Sequence, residues 1–174
     1  MYGEEKGGGR KVTTLAYAFK KSDCKKYLPV PCVVSASDEE YLTAPVPSPE
    51  DFHMLAEWDT GATESAISKG LVDFLGLKST GTKANLFGGN GIYQADTYRI
   101  NLYFEDGIVF KNLTVSEMPN NPSLTVLVGL DVILQSDFAV IPSGDTVNLY
   151  FRHPSEGNSQ FDIEPQPMIL KYSK

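Results

Sequence analysis

The hydrophobic positions of this chain fall into short runs that alternate or cluster like strands, and few recur at helical spacing. Residues 12–19 form a first candidate strand. Residues 27–36 (YLPVPCVVSA) are β-branched in character, and their prolines suit a sheet edge. An acidic, proline-rich stretch over 37–50 predicts a loop, after which 52–58 returns as a strand. Ser68 is placed to cap a short helix ending near Leu75, with Ile67, Leu71, Val72 and Leu75 on one face and Gly76 as its stop.

The clearest alternation sets Tyr98, Ile100, Leu102 and Phe104 against Arg99, Asn101, Tyr103 and Glu105, a strand with two distinct faces. Asp106-Gly107, a pair favoured in type I′ hairpin turns, follows it, and 108–115 is the partner strand. Residues 119–122 predict a turn, 124–128 a buried apolar strand, and 130–135 one short helix. Residues 138–141 and 147–151 read as a last hairpin across Ser143-Gly144-Asp145. A polar loop over 154–167 precedes a terminal strand at 168–172. The pattern as a whole is all-β with one or two short helices, and no repeat of solenoid period interrupts it.

One strand ends on chemistry. Met54, Ala56 and Trp58 lie on one side of a run that delivers Asp59 into the turn Thr60-Gly61-Ala62-Thr63. A carboxylate at the end of a buried strand is costly unless the fold needs a charge or a shared proton there, so Asp59 is the first candidate for catalysis. The composition narrows the alternatives. With 174 residues the chain is most simply one domain with a real core. Its net charge of −7 argues against a nucleic-acid partner. The one basic cluster, Lys20-Lys21 and Lys25-Lys26, is interrupted by Asp23 and reads as a solvated loop. Cys24 and Cys32 fit neither a disulfide framework nor a zinc spacing; they read as free thiols, with a disulfide between them as the alternative. Residues 1–10 lack the apolar core of a signal peptide, and 124–134 is too short to span a bilayer. The expectation is a soluble, cytoplasmic protein with no membrane partner.

The order of elements carries a resemblance. A strand, Asp59-Thr60-Gly61-Ala62-Thr63, a short helix, a glycine-bearing hairpin and then Val126-Leu127-Val128-Gly129-Leu130-Asp131 together resemble the retropepsin-like aspartic proteases, above all their single-domain bacterial members. The resemblance implies a closed β-barrel-like retropepsin (acid protease) fold, a homodimer, and one catalytic aspartate, Asp59, from each chain. It divides the chain into an N-terminal extension over 1–26, flexible at least in its glycine-rich part, a protease domain over 27–154, and a C-terminal loop with a dimer-interface strand over 155–174. Thr60 resembles the residue whose hydroxyl braces the paired turns, and Ala62 and Thr63 complete the turn. Gly61 lets the two backbones approach and offers its amide to a carboxylate. Leu127, Val128 and Gly129 resemble the segment that packs under the site. No cofactor or metal is implied, and the partners are a second copy of the chain and an extended peptide or protein substrate.

The chemistry of paired carboxylates agrees with this. Two that are held together share one proton, so that one activates water while the other donates to the substrate carbonyl. The chain departs from the family pattern at Trp58, which is bulkier than the aliphatic residue there and is expected to reshape a subsite. Together with Leu86, Ile92, Val126 and Val128 it predicts apolar pockets beside the dyad. The segment Phe87-Gly88-Gly89-Asn90-Gly91-Ile92-Tyr93 admits three readings. A phosphate cradle would need a following Lys-Ser/Thr pair that is missing; the others are a plain turn and the tip of a flap that closes over peptide. The flap reading assigns Gly88, Gly89, Asn90, Gly91, Ile92 and Tyr93 to substrate binding. His53 and His153 give little support to a Ser-His or Cys-His enzyme. Asp131 reads as a helix cap, and Asp106, Asp137 and Asp145 read as turn-formers. Two functions follow: an aspartic endopeptidase, or a catalytically inactive module of the same fold that binds peptides or assembles.

Overall fold

The computed structural model describes residues 12–24, 28–38, 40, 54–88, 91–118, 122–123, 125–158 and 160–168. In chain order these form β1 (Thr13–Lys20), β2 (Leu28–Ala36), β3 (Met54–Trp58), β4 (Ala66–Ser68), α1 (Lys69–Leu75), β5 (Lys83–Gly88), β6 (Gly91–Tyr103), β7 (Val109–Met118), β8 (Thr125–Val128), α2 (Leu130–Ile133), β9 (Asp137–Ser143), β10 (Thr146–His153) and β11 (Gln166–Pro167). The protein is therefore mostly β, with two short α-helices among the described residues.

The strands make two sheets, one in the order β11-β1-β10-β9 and one in the order β2-β3-β8-β4-β7-β6-β5. In the larger sheet β2 pairs with β3 over 28–32 and with β6 over 33–36. Each half of β2 therefore has one partner strand, and the half that carries Pro29 and Pro31 keeps the open side those prolines suit. In the smaller sheet β1 pairs with β10 along its whole length and is joined at Tyr17 and Ala18 by β11. The described C-terminal strand is the residue pair just before the expected 168–172 and runs parallel to β1; residues 169–174 lie outside the described set, as do 1–11, 119–121 and most of 37–53.

The middle of the chain folds as its alternation predicts. Tyr98, Ile100, Leu102 and Phe104 are buried, while Arg99 and Glu105 are exposed. Asp106 and Gly107 both take positive φ, 55° and 82°, and the Ile108 N–H donates to the Glu105 carbonyl at 3.3 Å, which closes the type I′ turn. One residue of β7 is then extra. The register passes from Ile100 opposite Leu113 to Leu102 opposite Phe110, and Asn112 absorbs the bulge at φ 56° with its N–H held by Asn101 Oδ1 at 3.1 Å.

The core lies between the sheets. Phe19, Leu149 and Phe151 come from the smaller sheet, and Val30, Ile67, Ile100, Leu102, Val126 and Val128 from the larger. Trp58, the last residue of β3, is pinned here: its ring stacks on Phe138 and meets Phe151 at 4.5 Å and Phe104 at 5.5 Å. That packing fixes where the chain leaves β3, and so where Asp59 begins.

Candidate active site

β3 runs parallel to β8, with Trp58 opposite Val128, and the Asp59 N–H adds one more rung by donating to the Val128 carbonyl at 3.1 Å. The chain then turns. The Ala62 N–H donates to the Asp59 carbonyl at 3.2 Å, and the Gly61 N–H donates to Asp59 Oδ1 at 2.8 Å. The carboxylate is thus oriented by its own turn while Asp59, Thr60 and Gly61 all stay exposed. A Cβ at position 61 would stand 3.1 Å from Asp59 Oδ1, so a side chain there would crowd the hydrogen-bonded oxygen. The burial expected of Asp59 is not seen within one chain. Trp58 takes the buried end of the strand and the acid emerges beyond it.

The far side of the turn is braced by the segment after β8. Gly129 packs so closely that a Cβ there would lie 2.6 Å from the Glu64 carbonyl carbon and 3.0 Å from the Ala62 oxygen. The first N–H groups of α2 have no helical partners, and the turn supplies them: Leu130 donates to the Ala62 carbonyl at 2.9 Å and Asp131 to that of Thr63 at 3.2 Å. Ser65 is the link that sequence reasoning missed. Its buried hydroxyl donates to Asp131 Oδ1 at 2.7 Å and accepts from the Gly129 N–H at 3.1 Å. Asp131 is not the cap of α2, since Gly129 holds that position; its carboxylate serves Ser65 and the Val132 N–H instead. Ser68, in contrast, caps α1 as expected by accepting from the Leu71 N–H, and Gly76 ends it at φ 59°.

β5 and β6 form an arm with Leu86 opposite Tyr93, Phe87 opposite Ile92 and Gly88 opposite Gly91. This register leaves a two-residue tip, Gly89-Asn90, which lies outside the described residues. Antiparallel strands with no helix after the turn remove the phosphate-cradle reading. Phe87 is 83% exposed and Ile92 67%, an apolar cross-strand pair held out in solvent. At the root of the arm the hydroxyls of Thr80, Thr82 and Thr97 lie within 2.8 Å of one another, and Thr97 exchanges backbone hydrogen bonds with Thr80 and Thr82.

Several sequence-based assignments are not met. Trp58, Val126 and Val128 are buried in the core, so in this protomer they line no open pocket. Asp137 is no turn-former: it pairs with Arg152 at 2.7 Å with both side chains almost fully buried. Cys24 and Cys32, in contrast, are free thiols as expected. An open cleft of about 670 Å³ lies beside the turn and reaches it only at Glu64 and Asp131; neither Asp59 nor any residue of the arm lines it.

Residues 50–135, which hold the turn, the arm and the Gly129 segment, match the family described as "gag-polyprotein putative aspartyl protease". No curated protein is similar enough to count as a match. Among solved structures, the chain resembles a retropepsin-like aspartic protease from Rickettsia conorii at 16% identity and a TM-score of 0.52, with 87% of this chain and 98% of that one covered. The two comparisons together support the retropepsin-like aspartic protease family for this chain. Family and fold together support a protease-like function, that of a peptide-bond hydrolase. Among the described residues of this retropepsin-like chain, no helix is long and apolar enough to cross a membrane, and no group of three or more His, Cys, Asp or Glu residues could hold a metal ion.

Proposed function

We propose that the chain is an aspartic endopeptidase that works as a homodimer, with Asp59 of each copy forming one shared-proton dyad. The observation that carries this reading is an exposed carboxylate whose Oδ1 is held at 2.8 Å by the Gly61 amide, on a turn braced from below through Gly129 and Ser65. A single such group can hold water but cannot also protonate a carbonyl oxygen. A second copy related by a two-fold axis supplies the missing acid. One Asp59 takes a proton from the water as that water attacks the peptide carbonyl carbon, and the other donates its proton to the carbonyl oxygen.

In this reading Thr60 braces the two turns against each other, and Ala62 and Thr63 carry the carbonyls that seat α2. Leu127, Val128 and Gly129 support the turn from below. The β5–β6 arm is the flap, and Gly88, Gly89, Asn90, Gly91, Ile92 and Tyr93 close over an extended substrate backbone. The protease domain over 27–154 is a closed β-barrel-like protomer, supported by the pairing of β2 to both β3 and β6, and β1 and β11 from the flanking segments complete its second sheet.

The test is Asp59→Asn. An amide can neither share the proton nor activate water, so cleavage of a peptide library should fall by at least about 100-fold with the thermal midpoint little changed. Undiminished cleavage by the Asn variant would remove Asp59 as the catalyst.

A further inference from the structure

The cleft beside the active-site turn is built differently from a groove over Asp59. One wall is the bulged start of β7, Val109 to Thr114; the other is α2 and its end, at Asp131 and Gln135. Its floor is buried and largely aromatic, with the Phe110 and His153 rings tilted against each other at 4.5 Å and His153 Nδ1 3.0 Å from Ser136 Oγ. At the end nearest the catalytic turn are two carboxylates. Glu64 is exposed and has no partner among the described residues, and Asp131 spends only Oδ1, on Ser65 and the Val132 N–H. Lys111 is the single lysine or arginine along the cleft, against the two carboxylates.

We propose that this cleft is a distal subsite that takes a basic side chain, Lys or Arg, of the same extended peptide that lies over Asp59. The inference rests on the protease reading above. Three observations converge on it. A largely aromatic floor with acid at one end matches a side chain with a long alkyl stem and a cationic head. A volume of about 670 Å³ is that of a ligand site rather than a packing defect. And the cleft is tied to the turn through Glu64, whose backbone is locked against Gly129. Reach sets the position of the basic residue. Five residues of chain separate Asp59 from Glu64, at most about 18 Å of backbone, so an extended substrate covers the same span in no more than about five positions. A two-fold dimer repeats the cleft, so the preference falls on both sides of the scissile bond.

The experiment uses the full chain carrying Asp59→Asn, which holds peptide without cutting it, and fluorescence polarisation of labelled peptides. These differ only in having Lys, Arg, norleucine or Glu at positions three to five from the bond. Lys or Arg at one of these positions should tighten binding over norleucine by about fivefold, the upper end for a solvent-facing ion pair. Glu64→Gln should bring that ratio close to one, Lys111→Gln should raise it, and about 0.5 M salt should erase it. Equal binding of all four peptides, a preference that survives Glu64→Gln, or no peptide binding at all overturns the inference. Cleavage of the norleucine peptide by the parent chain keeps the two claims apart, since it upholds the protease reading whatever the basic preference.

Discussion

A methyl group added at Gly129 would press on the backbone of Glu64 at 2.6 Å, whereas one added at Gly61 would meet only the Asp59 carboxylate, at 3.1 Å. The two glycines therefore predict opposite phenotypes. Gly129→Ala forces two backbone segments apart and should cost about 3 kcal/mol of stability, at the high end for overpacking. Gly61→Ala should unfold near the parent's midpoint yet lose most of its peptide cleavage, because the displaced group is the carboxylate itself. Denaturation followed by the emission of Trp58, the chain's one tryptophan, together with a cleavage assay separates them. Equal loss of stability in both variants would contradict the geometry. At this scale Asp59, Thr60 and Gly61 were legible because a strand, an acid and a turn glycine are contiguous. Ser65 was not, since its partner Asp131 lies 66 residues away and a serine carries no periodic signal. Trp58 was misread for a related reason: alternation places it on the buried side of β3 but does not reveal the aromatic cluster that claims it.

The ends of β9 and β10 hold a clamp that no sequence pattern announced. Arg152 bonds Asp137 through Nε at 2.8 Å, reaches the carbonyls of Asn158 and Gln160, and lies over the Phe161 ring. Burial alone would raise the Asp137 pKa, but hydrogen bonds from Ser155, the Glu156 N–H and Arg152, with the guanidinium charge, outweigh it and bring it to about 2. The folded value lies below the ordinary 3.8, so the clamp's contribution is whole above about pH 4 and is lost as pH falls through 2. Thermal midpoints should therefore fall between pH 4 and 2, and Arg152→Met should start lower and lose this part of the acid dependence. A parallel pH profile in the variant would refute the assignment. The β5–β6 arm gives a second prediction: its amides, poorly packed beyond Leu86, should exchange fast in the free protein and slow when a peptide-like inhibitor is saturating, whereas those of β3 and β8 should be protected throughout. Equal exchange with and without inhibitor would argue against a flap. Long elements were readable because alternation over eight or more residues is hard to mistake. Three-residue β4 and two-residue β11 carry too few positions to show a period, and the bulge at Asn112 depends on one asparagine in a left-handed conformation.

On the proposed mechanism one Asp-Thr-Gly turn supplies half of the dyad, and the described surface offers a place for a second copy. β1 offers no open edge at its middle, where it lies between β10 and β11 in the smaller sheet. Of that sheet's two edges among the described residues, β11 and β9, the longer is β9. Val140 is opposite Leu149, and Pro142 opposite Val147, so Val140 and Pro142 continue the face that carries the core; yet Val140 is 41% exposed and Pro142 is exposed too. An apolar face that runs past the edge of its own core, on a strand with open hydrogen-bonding groups, suits an isologous partner. Activity per chain should then fall on dilution below the dimer dissociation constant, and Val140→Glu or Pro142→Glu on β9 should raise that constant. Asp59→Asn chains added in excess, under conditions of subunit exchange, should poison the parent by forming mixed dimers with a single carboxylate. At equal amounts random mixing leaves about one dimer in four with both aspartates, so the rate per parent chain should halve. Sedimentation at each concentration ties the loss to dissociation. A monomer that cleaves at full rate, or a parent indifferent to the Asn chain while exchange is demonstrated, would rule out the shared dyad and with it the mechanism.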